Sequence, residues 1–340
     1  GGYLSLEPVE REVLGLLVAI ATTADLRDAT HLTARTEQLD LVGVAAAALG
    51  RSPEAVAPAL SGDGRLVRTG LVLPETEGAG HRLVQAGDGR ALPYGLLGGL
   101  TSALTARTGS VDGLLERYFQ PVAVDGASAL DFGHCAQETR RLAGVVDRAL
   151  EAGETGVNIL VHGEPGVGKT ELVRHLAAAH AWRLFAVSCR DGCGESLAGH
   201  RRFSAYRLCQ YLLEGRERAV LLFDEIEDVF DPRFVGAADR TGPFGAPGAA
   251  GKGWINRLLE SNPRPVIWIS NSTEALDPAW LRRFDYIVRL DTPPPAARRR
   301  MLDAATAGVT VPTRWLDERA ADPDMTPARI AQVGRLAQRL

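Results

Sequence analysis

The segment from residue 163 to residue 170 has the composition and spacing of a phosphate-binding loop. It follows the apolar run 158–161, precedes a helix-forming stretch and fits the pattern GxxxxGK[ST]. With the helical residue that follows, it reads Gly163, Glu164, Pro165, Gly166, Val167, Gly168, Lys169, Thr170 and Glu171. Glycines let the backbone turn its N–H groups toward phosphate oxygens, and the helix N-terminus adds positive partial charge. Such a loop predicts binding of a nucleoside triphosphate, with Lys169 on the β- and γ-phosphates and Thr170 on Mg²⁺.

Two carboxylates follow a second apolar run. Asp224 and Glu225 come directly after Ala219–Phe223, 55 residues beyond Lys169. A continuous apolar run is typical of a buried parallel strand, and ligands collect at the carboxyl ends of such strands. Asp224 is therefore expected to hold Mg²⁺, partly through water, and Glu225 to act as a general base toward the attacking water. An N-cap role is the alternative for Asp224.

A strand-end amide and two arginines complete the candidate set. Asn271 follows the apolar run Val266–Ser270, 47 residues after Asp224. Its amide is placed to contact the γ-phosphate or orient the water; the alternative is an asparagine that caps a turn. Arg282 and Arg283 precede the run Tyr286–Leu290, and taken alone they are typical of a solvated surface.

The elements that must position these residues alternate between strand and helix from residue 130 onward. The strands are expected at Asn158–His162, Leu184–Ser188, Ala219–Phe223, Val266–Ser270 and Tyr286–Leu290. Short apolar runs alternating with helices predict an α/β fold, a parallel sheet flanked by helices. After Pro293 the sequence is helical to its end, which predicts a short α-helical C-terminal lid, with the arginines 298–300 on its solvated face.

The chain is expected to divide at residues 95, 129 and 292. Residues 1–95 are mainly helical, and the order helix, turn, helix and hairpin resembles a winged helix, with strands at Arg65–Arg68 and Gly70–Leu73. Residues 96–129 are predicted to form a helical linker, 130–292 the α/β core and 293–340 the lid.

Charge bears on what the N-terminal region binds. The chain of 340 residues has 38 Lys+Arg against 42 Asp+Glu and a net charge of −4. Residues 1–100 contain eight arginines, no lysine and twelve acidic residues. Because duplex binding depends on cation–phosphate contacts, this balance disfavours nucleic acid, although Arg51, Arg65 and Arg68 lie close in sequence. A protein partner is the preferred prediction for residues 1–95.

Composition also favours a cytoplasmic globular protein. The apolar run Val13–Ile20 is too short to cross a membrane, and the chain starts with Gly-Gly-Tyr, which lacks the basic region of a signal peptide. Four cysteines form no CxxC pair and the seven histidines no cluster, so reduced thiols and no metal besides Mg²⁺ are expected.

Taken in order, these motifs resemble an AAA+ ATPase, with Walker A at 163–170, Walker B at 219–225 and a segment LDPAWLRRFD at 276–285. The resemblance implies ATP with Mg²⁺ as ligands, Asn271 as sensor 1, and Arg282 and Arg283 as arginine fingers that reach the neighbouring subunit of a ring, expected to be a hexamer. It also implies that His134, in the segment 131–134, lies beside the adenine.

Two positions depart from the family pattern. The residues equivalent to the aromatic pore loop read Leu-Ala-Gly at 197–199, which weakens the expectation of substrate threading. Arg329 is either a sensor 2 arginine that contacts the phosphates or a solvated side chain. The leading hypothesis is a ring-forming ATPase that remodels a protein. The alternatives are a nucleotide-dependent assembly switch, and a DNA-acting motor or loader.

Overall fold

The computed structural model describes most of the chain and divides it into two compact units. The first unit comprises Gly1–Gln120, Val187–Glu214 and Asp228–Ile255, and the second comprises Pro121–Ala186, Gly215–Glu227 and Asn256–Leu340. The residues described are 6–37, 39–74, 94–96, 119–124, 131–188, 200–230, 255–256, 258–274, 276–337 and 339. The Leu-Ala-Gly segment at 197–199 and most of the predicted linker 96–129 lie outside them. Within the described residues, no helix has the length and apolar content that crossing a membrane requires.

The first unit begins with five helices. They are α1 (Pro8–Thr22), α2 (Ala24–Thr36), α3 (Leu41–Leu49), α4 (Pro53–Leu60) and α5 (Arg65–Arg68). Helix α1 starts with a proline and a capping box between Glu7 and Glu10. Helix α3 starts where the Asp40 side chain accepts a hydrogen bond from the Gly43 backbone N–H, and ends at Gly50 in the left-handed conformation. Local sequence signals therefore fix these helix ends.

The predicted strand at Arg65–Arg68 is wrong, because these residues form α5. The Gly64 carbonyl accepts from the Arg68 backbone N–H at 2.8 Å, and the adjacent Leu66 and Val67 are both buried. Two consecutive buried side chains suit a helix, whereas a half-buried strand alternates them. The strand predicted at Gly70–Leu73 overlaps β1 (Val72–Pro74), which pairs antiparallel with β2 (Tyr94–Leu96).

Most residues of the larger sheet belong to the second unit. A six-stranded sheet has the order β3-β5-β6-β7-β4-β8, and the pairs β5–β6, β6–β7, β4–β7 and β4–β8 are parallel. The strands are β3 (Phe119–Pro121), β4 (Asn158–His162), β5 (Arg183–Val187), β6 (Ala219–Phe223), β7 (Val266–Ser270) and β8 (Tyr286–Arg289). Every residue of β6 and β7 is buried, as expected for central parallel strands. The predicted α/β fold with flanking helices is confirmed.

Helices follow the strands along the chain. They are the 3₁₀ turn Gly133–Cys135, α6 (Ala136–Ala152), α7 (Lys169–Ala179), α8 (His200–Leu213), α9 (Glu227–Phe230) and α10 (Pro278–Leu281). Helix α8 belongs to the first unit by its contacts, although it stands between two strands of the sheet in sequence.

The C-terminal helices pack around a small apolar core. They are α11 (Pro295–Ala305), α12 (Thr313–Ala321) and α13 (Pro327–Ala337), and their shared core includes Leu302 and Ile330. The prediction that Arg298 lies on the solvated face is wrong, since only 5% of it is exposed. Its Nε donates to the Ala320 carbonyl and its Nη1 to the Pro293 carbonyl, both at 2.8 Å. A buried guanidinium thus joins α12 to the start of α11.

Candidate nucleotide-binding site

The glycine loop lies between β4 and α7 in a conformation that few residues other than glycine adopt. Gly163, Gly166 and Gly168 have φ values of 153°, 83° and 95°, in the region that disfavours side chains. A Cβ atom on Gly163 would lie 2.1 Å from the Leu290 carbonyl oxygen. Because α7 begins at Lys169, the loop leads into a helix N-terminus, the arrangement that suits an anion.

Lys169 is held inside this loop. Its Nζ donates to the carbonyl oxygens of Gly163 at 2.7 Å and Glu164 at 3.0 Å, and to Asn271 Oδ1 at 2.9 Å. Burial lowers the pKa of Lys169, while the carboxylates of Asp224 and Glu227 act in the opposite direction. The structure therefore brings the predicted phosphate contact and the predicted strand-end amide within hydrogen-bond distance of each other.

The oxygen atoms expected to bind Mg²⁺ also meet. Thr170 Oγ1 donates to Asp224 Oδ2 at 2.8 Å, which joins the first turn of α7 to the end of β6. A hydroxyl beside a carboxylate is the hard-oxygen donor set that Mg²⁺ prefers, with water filling its other positions. These residues fit a triphosphate with its magnesium ion.

Glu225 lies at the same edge of the sheet. Its side chain is exposed and its backbone N–H donates to Asp224 Oδ1 at 2.9 Å. Its φ of 53° places a residue other than glycine in the left-handed region, which is uncommon and concentrates at functional sites. The turn after β6 thus directs two successive carboxylates away from the buried strand.

Sequence reasoning missed Glu227. Its Oε1 accepts hydrogen bonds from the Asn271 backbone N–H and from Ser270 Oγ, the latter at 3.0 Å. Glu227 begins α9, only two residues after Glu225, and so ties the end of β6 to the end of β7. The signal in the sequence is the run of acidic residues at 224, 225, 227 and 228. Within this run, Glu227 stands two positions after the proposed general base Glu225 and faces the end of β7.

The two arginines are anchored at the other edge of the sheet. Asp285 accepts from the Asn158 backbone N–H at 2.7 Å and donates its own N–H to the Asn158 carbonyl at 2.8 Å. Asn158 begins β4, whereas the glycine loop follows its end, about 16 Å away along a five-residue strand. Arg283 Nε donates to Glu260 Oε1 at 2.9 Å, and Arg282 is exposed. The structure does not bring these arginines to the glycine loop of their own chain.

The remaining predicted positions are His134, Glu171 and Arg329. His134 Nδ1 is 3.1 Å from the Asp131 carbonyl oxygen, and its Nε2 is buried without a hydrogen-bond partner among the described residues. Arg329 is exposed and donates to the Asp324 carbonyl at 2.7 Å. Glu171 pairs with Arg174 at 2.7 Å. No contact of these residues identifies the position of a ligand.

The parallel sheet, the glycine loop after β4 and the carboxylates after β6 define a P-loop nucleotide-binding domain. Residues 159–292 match the model of the family described as "ATPase family associated with various cellular activities (AAA)". This segment is therefore an AAA-family domain, and the resemblance predicted from the motifs is confirmed. The match does not extend to the N-terminal helices, and their resemblance to a winged helix stays a prediction.

Known proteins similar to this chain include an ATPase-family protein and an ATP-dependent zinc metalloprotease. Mouse (Mus musculus) "ATPase family gene 2 protein homolog B" is 33% identical over 161 residues, which cover 45% of this chain and 20% of the mouse protein. The "ATP-dependent zinc metalloprotease FtsH" of Nitrosococcus oceani is 28% identical over 266 residues, covering 73% of this chain and 36% of FtsH. The FIGL-1 AAA domain superposes with a TM-score of 0.48 at 17% identity, covering 69% of this chain and 78% of that chain. This chain thus spans about a fifth of the mouse protein's length.

Proposed function

We propose that this chain hydrolyses ATP with Mg²⁺ and works as a ring, expected to be a hexamer, that remodels a protein. The observation that carries the proposal is the convergence of Lys169, Asn271, Thr170 and Asp224 through hydrogen bonds of 2.8–2.9 Å, with Glu225 beside them. AAA-family membership of residues 159–292 supports nucleotide hydrolysis as the activity.

Each residue has a distinct role in the proposed reaction. The glycine-loop N–H groups and the Lys169 ammonium bind the phosphates, and Thr170 and Asp224 hold Mg²⁺. When bound, Mg²⁺ neutralises charge on the phosphate oxygens. Glu225 accepts a proton from the attacking water, and Asn271 orients that water or the γ-phosphate.

The position of the arginines favours action between subunits. Arg282 and Arg283 lie at the edge of the sheet opposite their own glycine loop, where Asp285 is bonded to the first residue of β4. A head-to-tail ring repeats one interface around its axis and would place this edge against the next subunit's nucleotide. The arginines then supply charge to the transition state in trans.

The N-terminal region, residues 1–95, is proposed to dock a protein. Its acidic balance is unsuited to duplex phosphates, and two of the three arginines that lie close in sequence are paired internally. Arg51 contacts Glu12 at 2.8 Å and Arg65 contacts Glu10 at 3.7 Å. The protease relative FtsH, named as ATP-dependent, supports coupling of nucleotide to a protein substrate.

The test compares two variants in binding and turnover. Glu225→Gln should bind a fluorescent ATP analogue as the wild type does but hydrolyse ATP about 10²- to 10⁴-fold more slowly, because the general base is lost. Lys169→Ala should lose binding itself. Glu151→Gln, an exposed residue at the end of α6, is the matched control and should keep wild-type turnover. Wild-type turnover in Glu225→Gln would refute the assignment of Glu225 as the general base. Tight ATP binding without turnover in the wild-type protein would favour the assembly switch instead.

A further inference from the structure

Arg300, on the first lid helix α11, reaches across to the segment that precedes α6. Its Nε lies 2.6 Å from Asp131 Oδ2, and its Nη2 lies 2.5 Å from the same oxygen. The side chains are 59% and 30% exposed, respectively. Both guanidinium nitrogens contact the same carboxylate oxygen, so this ion pair joins α11 to residue 131.

The Asp131 carboxylate also organises the turn that it begins. Its Oδ1 accepts from the Gly133 backbone N–H at 2.8 Å, and a Cβ atom on Gly133 would lie 2.9 Å from this oxygen. The adjacent Phe132 is buried, with its ring centroid 5.4 Å from that of His175. Because His175 is on α7, the helix that starts at the glycine loop, Asp131 links the lid to the phosphate-binding element.

A second lid contact lies on the glycine loop itself. The Ala328 backbone N–H, at the start of α13, donates to the Gly166 carbonyl at 3.0 Å. A Cβ atom on Gly166 would lie 3.2 Å from Thr326 Oγ1. The lid therefore meets the core at the apex of the phosphate loop and at Asp131, and a lid that lifts must break both contacts.

We infer that the Arg300–Asp131 ion pair is a latch that holds the lid against the core and slows release of the nucleotide. Arg300 acts as a positioning residue, since it contacts Asp131 and not the phosphate loop. The inference rests on the proposed nucleotide site at residues 163–170. A partly exposed ion pair changes an equilibrium by up to about fivefold, so release should accelerate by about two- to fivefold when the pair is broken.

The first measurement needs no nucleotide. Hydrogen–deuterium exchange of the full chain reports on the Ala328 N–H, which is bonded to Gly166 only while the lid is closed. Exchange at Ala328 should be faster in Arg300→Ala and in Asp131→Asn, and slower again in Arg300→Lys, which restores a cation. Arg314→Ala, which removes an exposed lid arginine paired with Glu318, is the matched control. Unchanged exchange in Arg300→Ala, or equal acceleration in Arg314→Ala, would overturn the latch.

The second measurement is stopped-flow release of a fluorescent ATP analogue. Arg300→Ala and Asp131→Asn should each release it about two- to fivefold faster than wild type, and the double variant no faster than either. Release from the wild type should approach the variant rate at high salt, because the ion pair is screened. Additive effects of the two substitutions would contradict the latch. If the wild type bound no analogue, the proposed function would fail, while Ala328 exchange would still decide the latch.

Discussion

Replacing Glu227 by alanine removes the carboxylate that holds the end of β7 beside the end of β6. The Asn271 backbone N–H loses its acceptor, whereas Ser270 Oγ keeps the Ser272 carbonyl as an acceptor. Hydrogen bonds to charged groups contribute about 1.5–3 kcal/mol, and each 1.36 kcal/mol is tenfold in rate. If Asn271 acts in the transition state, kcat should fall about 10- to 100-fold in Glu227→Ala. Glu227→Gln keeps a neutral acceptor, so it should raise the activation free energy about half as much as Glu227→Ala does.

Nucleotide affinity should respond differently. Two of the three acceptors of Lys169, the carbonyls of Gly163 and Glu164, do not depend on Glu227, so the Kd for ATP should change less than kcat does. Steady-state hydrolysis with separate measurement of analogue binding gives both numbers. Glu274→Ala, an exposed residue three positions beyond Asn271, is the matched control. A wild-type kcat in Glu227→Ala, or a raised KM with unchanged kcat, would refute the positioning role of Glu227.

Two further predictions concern stability. Arg298→Met keeps most of the side-chain volume but leaves the Ala320 and Pro293 carbonyls without their donor. The free energy of unfolding measured in urea should therefore fall by about 2–4 kcal/mol. The control Arg314→Met should change it little. Burial raises the pKa of Asp147, but hydrogen bonds from Trp182 and His180 outweigh it and hold this pKa below its usual value. The stabilisation from Asp147 is therefore full above the ordinary aspartate pKa and is lost as the pH falls through the lowered value. Asp147→Asn should be less stable by about 1 kcal/mol at pH 7, with the difference from wild type shrinking below about pH 4.

Much of the α/β core could be predicted from the sequence because its signals are local. Apolar runs such as Ala219–Phe223 and Val266–Ser270 are buried along their whole length, and a glycine loop between strand and helix leaves little choice of structure. The proximity of Lys169 and Asn271 could be predicted because the carboxyl ends of parallel strands lie at the same edge of the sheet.

The misplaced elements depend on contacts that sequence periodicity does not encode. Four residues at Arg65–Arg68 are too few to distinguish a helix from a strand, and tertiary burial of Leu66 with Val67 decides the outcome. Arg298 stands in a run of three arginines, and only the position of α12 shows that its partners are backbone carbonyls. Glu227 was overlooked because its partners belong to the strand that follows 39 residues later.

The most direct test of the proposed ring mechanism mixes two inactive proteins. Lys169→Ala should lose ATP binding, and the double variant Arg282→Ala with Arg283→Ala should bind ATP but hydrolyse it about 10³- to 10⁵-fold more slowly. Mixed in equal amounts, they should regain up to about a quarter of wild-type activity, since random pairing makes one interface in four complete. Absence of recovery in mixtures shown to co-assemble, or full activity of the double variant, would contradict arginine action between subunits.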